Sequence, residues 1–188
     1  MAKKESTKDI ILKTATCLFQ RQGYHGTGLN QIIEESGAPK GSIYYHFPNG
    51  KEEIALEAIH QMKRDILERA QEDLSEGETA AEAFQFYINK IASIFDHPKT
   101  MEGLSIGLIA SEISSTHENL RLACEAAFMD WQALYVNKLK AHGMETEKAE
   151  ELGLTITALI EGACTLSATH KNGDPLRVIG KQLLLLLS

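Results

Sequence analysis

The segment Thr27–Tyr45, TGLNQIIEESGAPKGSIYY, constrains this chain more than any other. It crowds helix-start and helix-stop residues into a span that fits two short helices and a tight turn. Leu29, Ile32 and Ile33 recur at helical spacing, and Gly37 is the residue type that closes a helix and opens a turn. Thr27 is the expected N-cap of the first helix, its hydroxyl accepting from an unpaired first-turn N–H. Pro39 suits the first turn of the second helix, where a missing N–H is not needed.

Winding Pro39–Phe47 at about 100° per residue, with Ile43 inward, puts Phe47 and Pro39 about 40° to either side of the inward pole. Gly41 and Tyr45 then land nearly opposite, with Ser42 and Tyr44 on the flanks. Lys40 sits about 60° from the inward pole, on a stem long enough to carry its ammonium outward. The helix therefore has an apolar anchoring face and an exposed face of two phenols, one hydroxyl and a glycine. Hydroxyls and an ammonium bond the phosphates and base edges of a duplex, and a glycine lets the backbone come close. Lys51, beyond the Pro48-Asn49-Gly50 turn, is expected to add a phosphate contact. The competing reading is a plain surface helix of an all-α protein. Two adjacent exposed tyrosines after Lys-Gly-Ser weigh against it.

Gly23-Tyr24, Thr27, Ile32, Ser36-Gly37, Lys40-Gly41-Ser42-Ile43-Tyr44-Tyr45-His46-Phe47 and Lys51-Glu52-Glu53 together resemble the N-terminal signature of TetR-type transcriptional repressors. The resemblance covers residues 6–66. It implies a three-helix DNA-binding head with a helix-turn-helix at 29–48 and a helical ligand-binding and dimerisation body over 67–188. It also implies dimeric binding to a palindromic operator in double-stranded DNA. Family DNA contacts carry over onto Thr27, Lys40, Gly41, Ser42, Tyr44, Tyr45, His46 and Lys51. One departure stands out: the usual Phe-Lys-Ser-Lys-Glu linkage is here Phe47-Pro48-Asn49-Gly50-Lys51-Glu52, one residue longer.

A net charge of −7 argues at first against a polyanionic partner. Its distribution answers the objection, because residues 1–51 carry +3 and the remainder −10. Such polarity orients the head toward DNA and keeps the body away from it. The competing account of the acidic body is a solvated surface with no steering role.

Strand signals are almost absent, and the four prolines fall at element boundaries, so the fold class is all-α. The longest apolar run, Leu183–Leu187, is far short of a membrane span, and the Lys-rich start lacks the apolar core of a secretory signal. Cys17, Cys124 and Cys164 fit neither a disulfide framework nor a zinc spacing and read as small buried apolar residues in a reducing cytoplasm.

Helices are expected over Thr7–Gln22, from Lys51 to about Leu74, from Thr79 to Phe95, over Glu102–Ser114, His117–His142 and Glu145–His170, and from Pro175 onward. The helix from Lys51 to about Leu74 links head to body and carries Ala55, Ile59, Met62 and Ile66 on one stripe. The final helix reads as apolar nearly all round, which points to burial against a two-fold partner. Ile160, Cys164, Ala168, Ile179, Leu183 and Leu186 are the expected dimer face, and the resemblance implies the same four-helix interface. The alternative is that these residues close the chain's own core.

Aromatic and methionine side chains gather in the middle helices. Met62, Phe84, Tyr87, Leu104, Ile109, Phe128, Trp131 and Tyr135 are the candidate lining of an apolar pocket. Tyr87, Ser105, Glu112, Trp131, Tyr135 and His170 are its candidate polar handles. Taken singly, such residues are more often plain core than pocket lining; the case for a cavity rests on the set. The body also resembles the LmrA/YxaF-like branch of the same family through Glu102-Gly103-Leu104, Ile106-Gly107-Leu108, Glu112, Leu120-Arg121, Trp131 and Ile160-Glu161-Gly162. That branch's association with efflux genes and aromatic compounds such as flavonoids implies a similar inducer.

An enzyme is disfavoured. The chain has no His-x-x-x-His pair, no Cys-x-x-Cys, no phosphate loop and no nucleophile elbow, and its seven histidines are scattered. No metal or cofactor is expected. The remaining alternatives are a helical small-molecule-binding enzyme and a protein-docking module, neither with sequence-specific DNA binding.

Overall fold

The computed structural model describes residues 5–97 and 106–187, and among these every regular element is a helix. In chain order they are α1 (Thr7–Gly26), α2 (Leu29–Ser36), α3 (Lys40–His46), α4 (Lys51–Asp73), α5 (Ala80–Phe95), α6 (Gly107–Ile113), α7 (Glu118–Ala141), α8 (Thr146–His170) and α9 (Asp174–Leu186). The helix starts are chemically specified. Ser6 with Asp9, and Thr79 with Glu82, form reciprocal capping boxes that satisfy orphan first-turn amides. The Glu145 carboxylate accepts from the amides of Glu147 and Lys148 at the head of α8, and Pro175 occupies the first turn of α9.

The chain divides into two compact units. The first comprises Met1–Arg64 with Ser105–Ala127, so it holds α6 and the first turns of α7 in addition to the three N-terminal helices. Ile11, Ala15, Leu18 and Phe19 of α1 are buried, as are Ile32, Ile43 and Phe47, which builds a small core. Ile106, Ile109, Ile113 and Leu120 are buried too, and α6 packs along α1. α1 does not stop at Gly23. The glycine takes φ 77°, ψ 178°, a left-handed-side conformation that interrupts the ladder, and the helix resumes for one more turn to Gly26.

The second unit comprises Asp65–Leu104 with Phe128–Ser188. Here α9 packs on α5 and α8. Gly173 makes that approach possible, because a Cβ there would lie 2.3 Å from the Ala92 carbonyl oxygen. The Gly173 amide donates to Asp96 Oδ1 at 3.0 Å, and Arg177 bridges Asp96 and Asp174. The hydrogen bond from Arg177, then that from the Gly173 amide, holds the Asp96 carboxyl below the usual carboxylate range.

Within one chain α9 buries a single stripe, Leu176, Gly180 and Leu183, and leaves Val178, Leu185 and Leu186 exposed. Ile160, Cys164 and Leu183 fill this chain's own core, with 6%, 7% and 1% of their surface left, because each falls on the stripe facing the neighbouring helices. Of the expected dimer face, Ala168 and Leu186 are exposed and Ile179 is half-buried. Although no long uninterrupted apolar run occurs, α8 as a whole is long and apolar enough to cross a membrane by length and composition.

Candidate nucleic-acid interface

α2 and α3 are joined by Gly37, whose φ of 64° gives the left-handed cap that ends α2, and by the buried Ala38. Pro39 precedes the first turn of α3 as its N-cap. Ile43 and Phe47 are fully buried, while Tyr44 keeps 50% and Tyr45 81% of its surface exposed. A hydrophobic anchor thus holds one side of α3 and leaves two phenols on the other. Lys40 and Gly41 are exposed beside them, and nothing lies within 4 Å of where a Gly41 Cβ would stand. Ser42 and His46 are half-buried. The His46 ring meets Tyr45 edge-on at 4.9 Å. Six of the eight expected DNA-contacting residues therefore share one helix, with Gly41 and Tyr45 exposed as winding predicted.

Thr27 and Lys51 are placed otherwise. Thr27 is fully buried, and its hydroxyl donates to the Gly23 carbonyl at 2.7 Å. The cap residue of α2 is Gly28, which offers no side chain. The reason is the extra turn of α1, whose broken ladder at Gly23 leaves a carbonyl that Thr27 satisfies. The Lys51 ammonium points back into the protein, donating to the carbonyls of Tyr24 at 3.0 Å and Thr27 at 3.1 Å. Burial pulls this amine below its ordinary range, and Glu112 opposes the shift. In this chain both residues brace the end of α1.

Sequence reasoning missed what braces that turn from the far side. Glu112 of α6 accepts from the His25 amide, and His117 meets the Tyr24 hydroxyl. No local signal points to it, because the pairing of α6 with α1 joins segments far apart in the chain.

In the second unit the aromatic residues meet in two groups. The Tyr87 and Tyr135 hydroxyls lie 3.1 Å apart and buried, with Phe84 edge-on against Tyr135 at 5.7 Å, and Phe128 meets Trp131 at 5.6 Å. Burial pushes both phenols above their usual range and does the same to the Cys164 thiol, with Glu161 adding to it. Trp131 Nε1 and Ser167 Oγ are buried without a hydrogen-bond partner among the described residues. Such orphaned groups stand out, because buried polar atoms are otherwise nearly always paired. Met62 and Ile109 belong to the first unit and are buried there. Leu104 and Ser105 lie outside the described residues. No group of three or more potential metal ligands occurs among the described residues.

Residues 11–58 match the family model described as bacterial regulatory proteins, tetR family. Residues 80–182 match that described as transcriptional regulator LmrA/YxaF-like, C-terminal domain. The chain is 44% identical over 183 residues to the HTH-type transcriptional regulator YxaF of Bacillus subtilis, covering 97% of this chain and 96% of that one. It is 45% identical over 170 residues to LmrA, an HTH-type transcriptional regulator of the same organism, covering 90% of each. A TetR transcriptional regulator from Legionella pneumophila shares the fold with a TM-score of 0.85 at 22% identity, over the full length of both chains.

Proposed function

This chain belongs to the TetR family of bacterial regulatory proteins, with an LmrA/YxaF-like body, and on that premise we propose that it is a cytoplasmic homodimeric repressor of a palindromic operator, released by a small apolar inducer. The family's members are DNA-binding transcriptional regulators, and the chain is not an enzyme. The observation that carries the DNA-binding reading is α3 itself, anchored through Ile43 and Phe47 and bare at Tyr44 and Tyr45. Lys40, Gly41, Ser42, Tyr44, Tyr45 and His46 contact the duplex directly. Thr27 and Lys51 support them from behind. A dimer presents this rim twice, to half-sites about one helical turn or a multiple apart.

The inducer site is the aromatic group of the second unit, built around Phe84, Tyr87, Phe128, Trp131 and Tyr135. The unpaired Trp131 N–H and Ser167 hydroxyl would fix the orientation of a largely apolar molecule carrying a few polar atoms. A flavonoid-like aromatic compound fits this description, and efflux or detoxification genes are the corresponding targets. The exposed Leu154, Leu159 and Leu166 of α8 with Val178, Leu185 and Leu186 of α9 form the dimer seam.

The test is selection of a duplex from random-sequence DNA by the full chain, followed by footprinting and titration with flavonoids. Symmetric, salt-sensitive protection that a flavonoid releases supports the reading. Binding without sequence preference would favour a docking module, and protection indifferent to every aromatic compound would remove the inducer assignment.

A further inference from the structure

The turn that joins α1 to α2 is held from two directions. Where Gly23 breaks the helical ladder, the His25 amide is redirected and donates to Glu112 Oε2 of α6 at 3.0 Å. That carboxylate fills the space a side chain at position 23 would need, since a Cβ there would lie 2.4 Å from Glu112 Oε1. Next along, the Tyr24 hydroxyl is 3.3 Å from His117 Nε2, and the two rings meet edge-on at 4.8 Å. The other ring nitrogen of His117 is 2.8 Å from Thr116 Oγ1, so the imidazole is tethered on both sides. From the opposite side Lys51, the first residue of α4, donates to the carbonyls of Tyr24 and Thr27. Thr27 closes the turn onto Gly23, and α2 begins at Leu29.

α2 and α3 therefore leave α1 through a turn whose geometry α6 and the start of α7 complete. With the repressor reading above as its basis, we propose that Glu112 and His117 are positioning residues for operator recognition. They hold the Gly23–Thr27 turn, and with it the reading helix, in the orientation that engages DNA. Release of either contact leaves α2 and α3 folded but misaimed.

The test uses the full chain and the duplex it selects from random-sequence DNA. Glu112→Ala removes the acceptor and is expected to weaken binding about tenfold. Glu112→Gln keeps an oxygen facing the His25 amide and is expected to stay within about threefold of the unaltered chain. Tyr24→Phe deletes only the hydroxyl facing His117 and is expected to weaken binding about fivefold, with melting still cooperative. Binding by Glu112→Ala equal to that of the unaltered chain overturns the proposal, and so does a loss that Glu112→Gln shares. So does binding by Tyr24→Phe equal to that of the unaltered chain. Failure of the unaltered chain to select any duplex sinks the repressor reading itself.

Discussion

The Lys51 ammonium sits 4.2 Å from the centroid of the Tyr24 ring while donating to the carbonyl of that same residue at 3.0 Å. One cation at the start of α4 thus engages both the π-face and the backbone of the last turn of α1. Tyr24 is almost fully buried, so its ring is held rather than merely covered. A Lys placed to meet phosphate would be extended and hydrated. This one is half-buried and turned onto two backbone carbonyls, and its contribution in the free protein is structural.

Replacing Lys51 by Met keeps the stem and deletes the donors. Hydrogen bonds to charged groups contribute about 1.5–3 kcal/mol, and a cation over an aromatic face about 0.5–2 kcal/mol. Lys51→Met is expected to lower the unfolding free energy by roughly 2–3 kcal/mol, read from the midpoint of a urea titration at constant slope. An unchanged midpoint with lost DNA binding would return Lys51 to the duplex as a phosphate contact.

On α3 the expectation is the reverse. Lys40→Ala and Tyr44→Phe touch exposed groups, so the melting temperature should hold. Operator affinity should fall by roughly 1–3 kcal/mol for each base contact removed. A gel-shift titration that finds the affinity intact would take these side chains out of the interface.

The dimer seam is tested where apolar surface is exposed, not where it is buried. Leu166 and Leu185 keep 52% and 74% of their surface. Changing both to Glu should give a folded monomer in sedimentation that binds the operator weakly. A dimer that survives these changes would place the seam elsewhere.

Stability should fall in alkali. Tyr87 and Tyr135 have folded-state pKa values raised by burial above the ordinary 10.0, and Cys164 is raised above 9.0 for the same reason. Raised values mean that the folded state keeps protons the unfolded state gives up. The stabilisation is therefore complete below pH 9 and is lost as pH rises past the unfolded values. Denaturant midpoints at pH 8 and pH 10.5 should differ, by up to about 1.4 kcal/mol per pH unit for each group held neutral. Tyr87→Phe should reduce the difference. A flat profile would mean that the two phenols are open to water.

Much of α3 was legible in the sequence because its register follows from helical geometry alone: once Ile43 points in, Phe47 must follow and Tyr45 must face out. The capping of α5 was legible for the same kind of local reason, a Thr with a Glu three residues on. Thr27 was misread because its hydroxyl answers to a break at Gly23 that periodicity does not report. Glu112 and His117 were beyond reach as supports of α1, since the pairing of α6 with α1 joins segments far apart in the chain. In α9 the leucine run was plain, but Leu183 and Leu185 look alike in sequence. Only the packing on α5 and α8 sends one inward and leaves the other at the surface.

The most direct measurement of the central claim places a photo-crosslinking residue at position 45 and irradiates the protein on its selected duplex. An α3 rim presented twice to the major groove predicts cross-links to bases in two symmetry-related half-sites, and none from the same probe at position 178. Tight, sequence-specific binding with no cross-link from position 45 would contradict it.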